Sequence, residues 1–343
     1  MRVLLISPLG FSINPQARYV GIERLVWTFS KELTRQGHQV AVLGPSESEY
    51  PDGVTWLSAK KGLSGAAELA AYQLYNHTYW SYDALHDFSH HHFATRGQVK
   101  KFPCVSVFWH SPQLARYPKA PYDIIALSKW AVGEFQRVYG QAARYQETII
   151  IDPDIYKPNG GNKRSERWLT IGRMAPEKGN LNAVHLCKQL GLSLDIAGGR
   201  GAEKPPSEPP DEYESAILKE CDGKQIRFLG EVTEEEKVDL MQTCKGLIYI
   251  TDHPEVTSHK IQEAMFCAAP VIAPRLGGVP EVVTDKVNGF LCSTPEEYEQ
   301  AVRNIERLPL VPAYEALVRK YSPEPVIRGY VELYQKVAEG LRW

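Results

Sequence analysis

Cysteine is sparse in this 343-residue chain and nowhere grouped. The six residues, at 104, 187, 221, 244, 267 and 292, form no C-x-x-C pair. That spacing offers no zinc pattern, and no metal site is expected. Most of the cysteines lie in apolar stretches. They read as buried thiols of a reducing compartment, and the expected location is cytoplasmic. Long hydrophobic runs are also missing. Nothing approaches the ~18 apolar residues of a membrane span. The opening Met1-Arg-Val-Leu-Leu-Ile-Ser-Pro8 has an apolar run of only four and reads as a first strand rather than a signal peptide. Charge of one sign is lacking as well. A net charge of −2 gives no general pull toward nucleic acid or anionic membrane. Nucleic acid is therefore not an expected partner, and any phosphate must be held by local groups. Peripheral membrane contact through a patch such as Lys100-Lys101 stays open. No short-period repeat is visible.

What remains is a globular composition, 43% hydrophobic and 23% charged. The length suits two domains of about 100–200 residues each. Apolar strands and amphipathic helices alternate from end to end, which predicts α/β architecture with parallel sheets. In the first half, strands are expected at Val3–Ile6, Gln39–Leu43, Val54–Leu57, Ala84–His86, Cys104–Phe108, Ile124–Leu127 and Thr148–Ile151. Helices are expected at Ile22–Gln36, Ala66–Tyr79 and Lys129–Tyr139. The polar, Pro- and Gly-broken stretch Asp152–Glu166 reads as a linker. A second series then begins, with strands at Trp168–Ile171, Ser193–Ala197, Ile226–Leu229, Leu247–Thr251, Val271–Ala273 and Phe290–Cys292. Helices are expected at Asn180–Leu190, Glu234–Thr243, Ser258–Cys267 and Pro295–Glu306. Gly201–Asp211, with four prolines, reads as a flexible excursion. The expected division is a domain over 1–155, a domain over 156–322, and a helix in 323–343 packing back toward the first domain. Two facing Rossmann-like domains would bind ligand in the cleft between them, at the carboxyl ends of their strands.

The chemistry concentrates in the second half. Glu255 and Glu263 bracket seven residues around the mouth of a helix. Backbone N–H groups of Ser258, His259 and Lys260 at that mouth suit a phosphate. Glu263 lies ~7.5 Å further along the helix than Ser258. Its carboxylate suits the diol of a ribose, and the pairing of acid, helix mouth and acid suits a nucleotide sugar. The bland reading is a solvated helix face with Glu263 paired to Lys260. The segment Ile171-Gly-Arg-Met-Ala-Pro-Glu-Lys-Gly179 places Arg173 after a strand and Lys178 before a helix, two cations suited to a diphosphate. Here the alternative is a loop with two solvated cations. Gly198 lies in a small-residue turn after a strand. Gly277-Gly-Val-Pro-Glu281 adds another Gly-rich loop.

These pieces in order resemble the retaining nucleotide-sugar glycosyltransferases of family four, which have the GT-B fold. That family carries G-R-x-x-x-E-K-G, F-x-G-x-V, E-x7-E, A-x-x-x-P-V-I-A and G-G-x-P-E. Here they correspond to Gly172-Arg173…Glu177-Lys178-Gly179, Phe228-Leu-Gly230-Glu-Val232, Glu255…Glu263, Ala269-Pro-Val-Ile-Ala273 and Gly277…Glu281. The first half matches more loosely, through Gly21-Ile-Glu-Arg24, Gly37-His-Gln-Val40, Val107-Phe-Trp-His110 and Ile125-Ala-Leu-Ser128. The resemblance implies transfer of a sugar from a nucleoside diphosphate donor, UDP favoured on family frequency, to a hydroxyl acceptor with retention. No cofactor or metal is implied. Arg173 and Lys178 would neutralise the leaving diphosphate, and Glu263 would hold the ribose. Glu255 would touch hydroxyls of the transferred sugar, and backbone at Gly230 and Val232 would face the base. Gly21 would approach the diphosphate, and His110 would lie near the anomeric centre.

The chain departs from the pattern in places. Glu255-Val-Thr-Ser258 replaces E-x-F-G, and Lys260 stands where an apolar residue is normal. Lys260 then either adds a phosphate cation or faces solvent. A saccharide, a lipid-linked or a small-molecule acceptor all remain open. A sugar-nucleotide epimerase or hydrolase of GT-B type and a non-catalytic sugar-nucleotide-binding protein are the competing readings. His86 and His90 are expected to line an acceptor cleft rather than a metal site, and the aromatic run from Tyr72 to Tyr82 is expected to pack in a core or interface.

Overall fold

In a computed structural model, the structure describes all residues except 15–20, 64, 91, 93–101, 110–122, 161–163 and 201–207. The chain divides into two compact units, Met1–Ile150 with Tyr321–Trp343, and Ile151–Lys320. Each is a parallel sheet with helices, in keeping with short strands that are apolar on both faces.

The first unit contains β1 (Arg2–Ile6), α1 (Gly21–Arg35), β2 (Gln39–Pro45), β3 (Thr55–Ala59) and α2 (Gly65–Gln73). It continues with β4 (Ala84–Asp87), β5 (Cys104–Phe108), β6 (Ile124–Ala126), α3 (Lys129–Tyr139) and β7 (Ala143–Tyr145). The sheet order is β3-β2-β1-β4-β5-β6-β7, with β1 pairing in parallel to both β2 and β4. The expected strand at Thr148–Ile151 does not form, and β7 takes the sheet edge instead. Those residues are apolar because of packing, not pairing. Ile149 is buried, and the Thr148 hydroxyl shares a 2.6 Å hydrogen bond with Tyr330. The expected helix Ala66–Tyr79 stops at Gln73, with a separate 3-10 turn at Tyr79–Ser81. Tyr72 and Tyr79 are buried in the core, whereas Trp80 is exposed.

The C-terminal helix of the chain closes this unit. Ser322 opens it and Pro323 takes its first position, where a missing N–H costs nothing. Its buried face presents Tyr330 and Tyr334 to an aromatic cluster. The Phe29 ring stands edge-on to His86, Phe88 and Tyr330 at 5.2, 5.2 and 5.0 Å. His86 bonds the Tyr334 hydroxyl through Nδ1 at 2.6 Å. This overturns its expected place lining a cleft. Burial holds its ring well below the ordinary histidine range, so it is a neutral core residue. His90 is half-buried on the next turn.

The second unit contains β8 (Arg167–Ile171), α4 (Asn180–Gln189), β9 (Ser193–Ala197), α5 (Glu212–Glu220), β10 (Ile226–Gly230) and α6 (Glu234–Thr243). After these come β11 (Leu247–Ile248), α7 (His259–Phe266), β12 (Val271–Pro274), β13 (Gly289–Cys292), α8 (Pro295–Asn304) and α9 (Leu310–Tyr321). The sheet order β10-β9-β8-β11-β12-β13 reverses direction between β8 and β11. That reversal is where a doubly wound sheet opens a crevice at its carboxyl edge. Helices α5 and α9 were not expected. The first is signed by a capping box, Asp211 with Glu214, which periodicity alone overlooks.

The aromatic cluster carries a test. Tyr330→Ala removes a fully buried ring together with the partner of the Thr148 hydroxyl. It should destabilise the first unit by about 3–5 kcal/mol in urea unfolding. A loss under about 1 kcal/mol contradicts this account of the helix's role.

Candidate functional site

The loops after β8 and β11 meet at the reversal of the second sheet. Gly179 makes the meeting tight. Its φ is 65°, and a Cβ there would lie 1.7 Å from the Ile250 carbonyl oxygen. Only glycine tolerates both the backbone angle and the approach. The 3-10 turn Pro176–Lys178 is thereby pressed onto the end of β11, where the Thr251 hydroxyl donates to the Glu177 carbonyl at 2.9 Å. Gly277 does the same for the neighbouring loop. Its φ is 62°, a Cβ would lie 2.4 Å from the Glu255 carbonyl oxygen, and the Gly278 N–H donates to that oxygen at 2.9 Å. The Gly-rich loop after β12 therefore seats the backbone of Glu255.

Three charged side chains converge in this frame. Lys178 is ion-paired with Glu255. Lys260, in the first turn of α7, is half-buried rather than free in solvent. Its ammonium lies over the buried Tyr249 ring, 3.5 Å from the centroid. Gly172 ends β8 just above, and a Cβ on it would be 3.5 Å from the same ammonium. Burial pushes the Lys260 pKa down to about 8, against the pull of Glu255 and with the repulsion of Lys178. Burial works to raise the Glu255 carboxyl, but Lys260 and Lys178 outweigh it and hold the group below the ordinary range. Burial, and then the Glu255 charge, raise the Tyr249 phenol, so it stays protonated. Arg173 stands apart from this trio, paired to Glu177 at 2.5 Å and partly exposed.

Glu263 sits further along α7 and has different partners from the one expected. It does not pair with Lys260. Lys237 of α6 bonds its Oε1 at 2.9 Å, and the Tyr156 hydroxyl donates to the same oxygen at 2.9 Å. Tyr156 also reaches Glu234, and Lys237 lies 3.2 Å from Glu234. Burial opposes ionisation of Glu263, but Lys237 prevails and its carboxyl is held below the ordinary range. Sequence reasoning missed Tyr156 and Lys237. The one available signal for Tyr156 was an aromatic residue in an otherwise polar linker. Lys237 lies in a charged run that looks like any solvated helix face.

The remaining expected residues fall as follows. Ser258 precedes α7 at its N-terminus, 3% exposed, and its hydroxyl neither caps the helix nor meets another partner among the described residues. His259 is the first residue of that helix. Gly198 donates its N–H to the Gly230 carbonyl at 2.8 Å, which joins the loops after β9 and β10. Val232 is half-buried just before α6. A cavity of about 420 Å³ beside these loops is lined by Met174, Gly199, Phe228, Gly230 and Glu231, among others. A larger one of about 580 Å³ lies between α4 and α8 and contains none of the expected residues. Gly21 opens α1 in the first unit and is exposed. His110 lies outside the described residues. Among the described residues no helix is long and apolar enough to cross a membrane.

Two doubly wound Rossmann-like units define the GT-B class, and the chain's structural neighbours are GT-B glycosyltransferases. AviGT4, a glycosyltransferase involved in avilamycin A biosynthesis, aligns over 100% of this chain and 99% of its own with a TM-score of 0.74 and 22% identity. HepE of Anabaena, solved with UDP and glucose, aligns over 99% and 98% with a TM-score of 0.71 and 18% identity. Residues 152–321 match the family described as Glycosyl transferases group 1, so that region carries a domain of this family. A probable sucrose-phosphate synthase of Thermosipho melanesiensis is 30% identical over 131 residues, 36% of this chain and 31% of that protein. The chain thus matches about a third of that relative's length.

The loop contact at Gly179 is directly testable. Gly179→Ala should lower the stability of the second unit by more than about 1 kcal/mol in denaturant unfolding. Wild-type stability in that variant contradicts the close approach.

Proposed function

We propose that this chain moves a sugar from a nucleoside diphosphate sugar, UDP-sugar favoured, to a hydroxyl acceptor with retention of anomeric configuration. One observation carries the reading. Lys178, Glu255, Lys260 and the N-terminus of α7 with its unpartnered Ser258 hydroxyl gather at the carboxyl edge of one sheet, and Glu263 lies further along α7. A diphosphate fits between the cations and the helix mouth. Glu263 would exchange a contact to Tyr156 or Lys237 for the ribose diol. The base would occupy the cavity of about 420 Å³ beside Gly230, close to Val232. The UDP and glucose bound by HepE are compatible with this arrangement.

In this reading Arg173 and Lys178 neutralise the leaving diphosphate, aided by the backbone of Gly172, Gly198, Ser258, His259 and Lys260. Preorganised groups aimed at developing charge contribute ~10²–10³-fold each. The bond from the anomeric carbon to the phosphate oxygen breaks. The acceptor oxygen bonds that carbon on the same face, and its proton passes to the departing phosphate oxygen. No metal is needed for this charge balance. Glu255 orients the sugar hydroxyls. The acceptor is a hydroxyl compound, whether saccharide, lipid-linked or small molecule. The six cysteines are free thiols, and the reading includes a reducing, cytoplasmic setting.

Lys178→Ala should lower the transfer rate by ~10²–10³-fold. Glu263→Ala should weaken nucleotide binding about tenfold or more. Transfer assays and calorimetry check these; near-normal values in both variants would sink the reading. Conversion of the donor sugar without any acceptor would instead point to an epimerase or hydrolase.

A further inference from the structure

The charges at the proposed donor site do not pair evenly. Arg173 has Glu177, Lys237 has Glu263, and Lys178 has Glu255. Among the described residues, Lys260 shares the Glu255 neighbourhood without a direct ion pair of its own. Its ammonium lies 3.5 Å from the centroid of the Tyr249 ring, and 3.5 Å from the position a Cβ on Gly172 would occupy. The Lys178 stem flanks the same glycine, with its Cβ and Cγ 3.9 Å from the position a Gly172 side chain would occupy. Two lysines therefore border one glycine, and one carboxylate serves both.

This matters once a diphosphate arrives. Lys178 cannot remain fully engaged with Glu255 and also neutralise the phosphates. Stripping a shielded carboxylate of its only cation is strongly unfavourable. A second ammonium beside the same carboxylate removes that conflict. We propose that Lys260 is a resident counter-ion for Glu255, which frees Lys178 to bind the diphosphate group of the donor. Lys260 is thus a positioning residue acting through Glu255. The inference rests on the donor reading above and adds a division of labour between the two lysines. It also gives a reason for a lysine at a position that is apolar in the family pattern.

The charged and titratable groups facing Lys260 are Glu255 on the loop after β11, Lys178 on the 3-10 turn, and Tyr249 at the end of β11, with Glu177 beyond the phenol. The Lys260 charge is present below about pH 8 and lost as pH rises through that value. Nucleotide affinity should fall over the same range.

The test is calorimetric binding of UDP and of GDP to wild type, Lys260→Met, Glu255→Gln and the double variant. Lys260→Met keeps the stem and removes the charge. It should weaken binding about tenfold in the presence of Glu255, and less than about threefold once Glu255 is Gln. Affinity of the wild type should decline above about pH 8, while Lys260→Met stays flat there. The wild-type pH titration needs no variant to fold. Equal losses in both backgrounds, or no loss in either, overturn the counter-ion role while leaving the donor reading standing. Wild type that binds neither nucleotide overturns the donor reading and the counter-ion role with it.

Discussion

The carboxylate of Glu255 is kept ionised in a partly water-excluded pocket, and the surrounding site is organised around that constraint. A shielded carboxylate needs cations, and two are supplied from different elements. Lys178 comes from the turn after β8, and Lys260 from the first turn of α7. Bringing them together requires the loops after β8, β11 and β12 to touch at backbone distance. Gly179 and Gly277 allow that, because no other residue fits those angles and approaches. The sheet order, reversing between β8 and β11, places these loops side by side. Fold, glycine placement and charge are in this sense one arrangement.

Glu263 obeys the same rule with a separate set of partners. Lys237 and Tyr156 hold its carboxylate. Tyr156 comes from the segment that opens the second unit, so the chain's passage into that unit is tied to the proposed ribose position. A nucleotide binding there would have to compete with contacts that already satisfy the acid. Its affinity would then reflect an exchange of partners at Glu263.

Much of this was legible in the sequence. The alternation of apolar strands and helices gave the α/β architecture because parallel strands buried on both faces read as short continuous apolar runs. The ordered motifs around Gly172, Glu255 and Gly277 pointed to the edge of the second sheet that the structure assembles. What stayed hidden depends on contacts between elements distant in sequence. Thr148–Ile151 looks like a strand because Ile149 and Ile151 are buried without pairing into a sheet, while the Thr148 hydroxyl bonds Tyr330 of the C-terminal helix. His86 looks like a cleft residue until the rings of Phe29, Tyr330 and Tyr334 enclose it. Lys260 could not be placed by spacing, since a lysine in a first helical turn is usually solvated. Only the Tyr249 ring and the Gly172 backbone show that it points inward.

The central claim is that the sheet reversal of the second unit holds a nucleoside diphosphate through Lys178 while Lys260 stays with Glu255. The most direct measurement is a crystal structure of the wild-type protein with UDP bound. The account predicts diphosphate oxygens within hydrogen-bonding distance of the Lys178 ammonium and the N-terminus of α7, with Lys260 left as the nearest cation to Glu255. Nucleotide density in the cavity between α4 and α8, or Lys178 still joined to Glu255 with the diphosphate elsewhere, would contradict it.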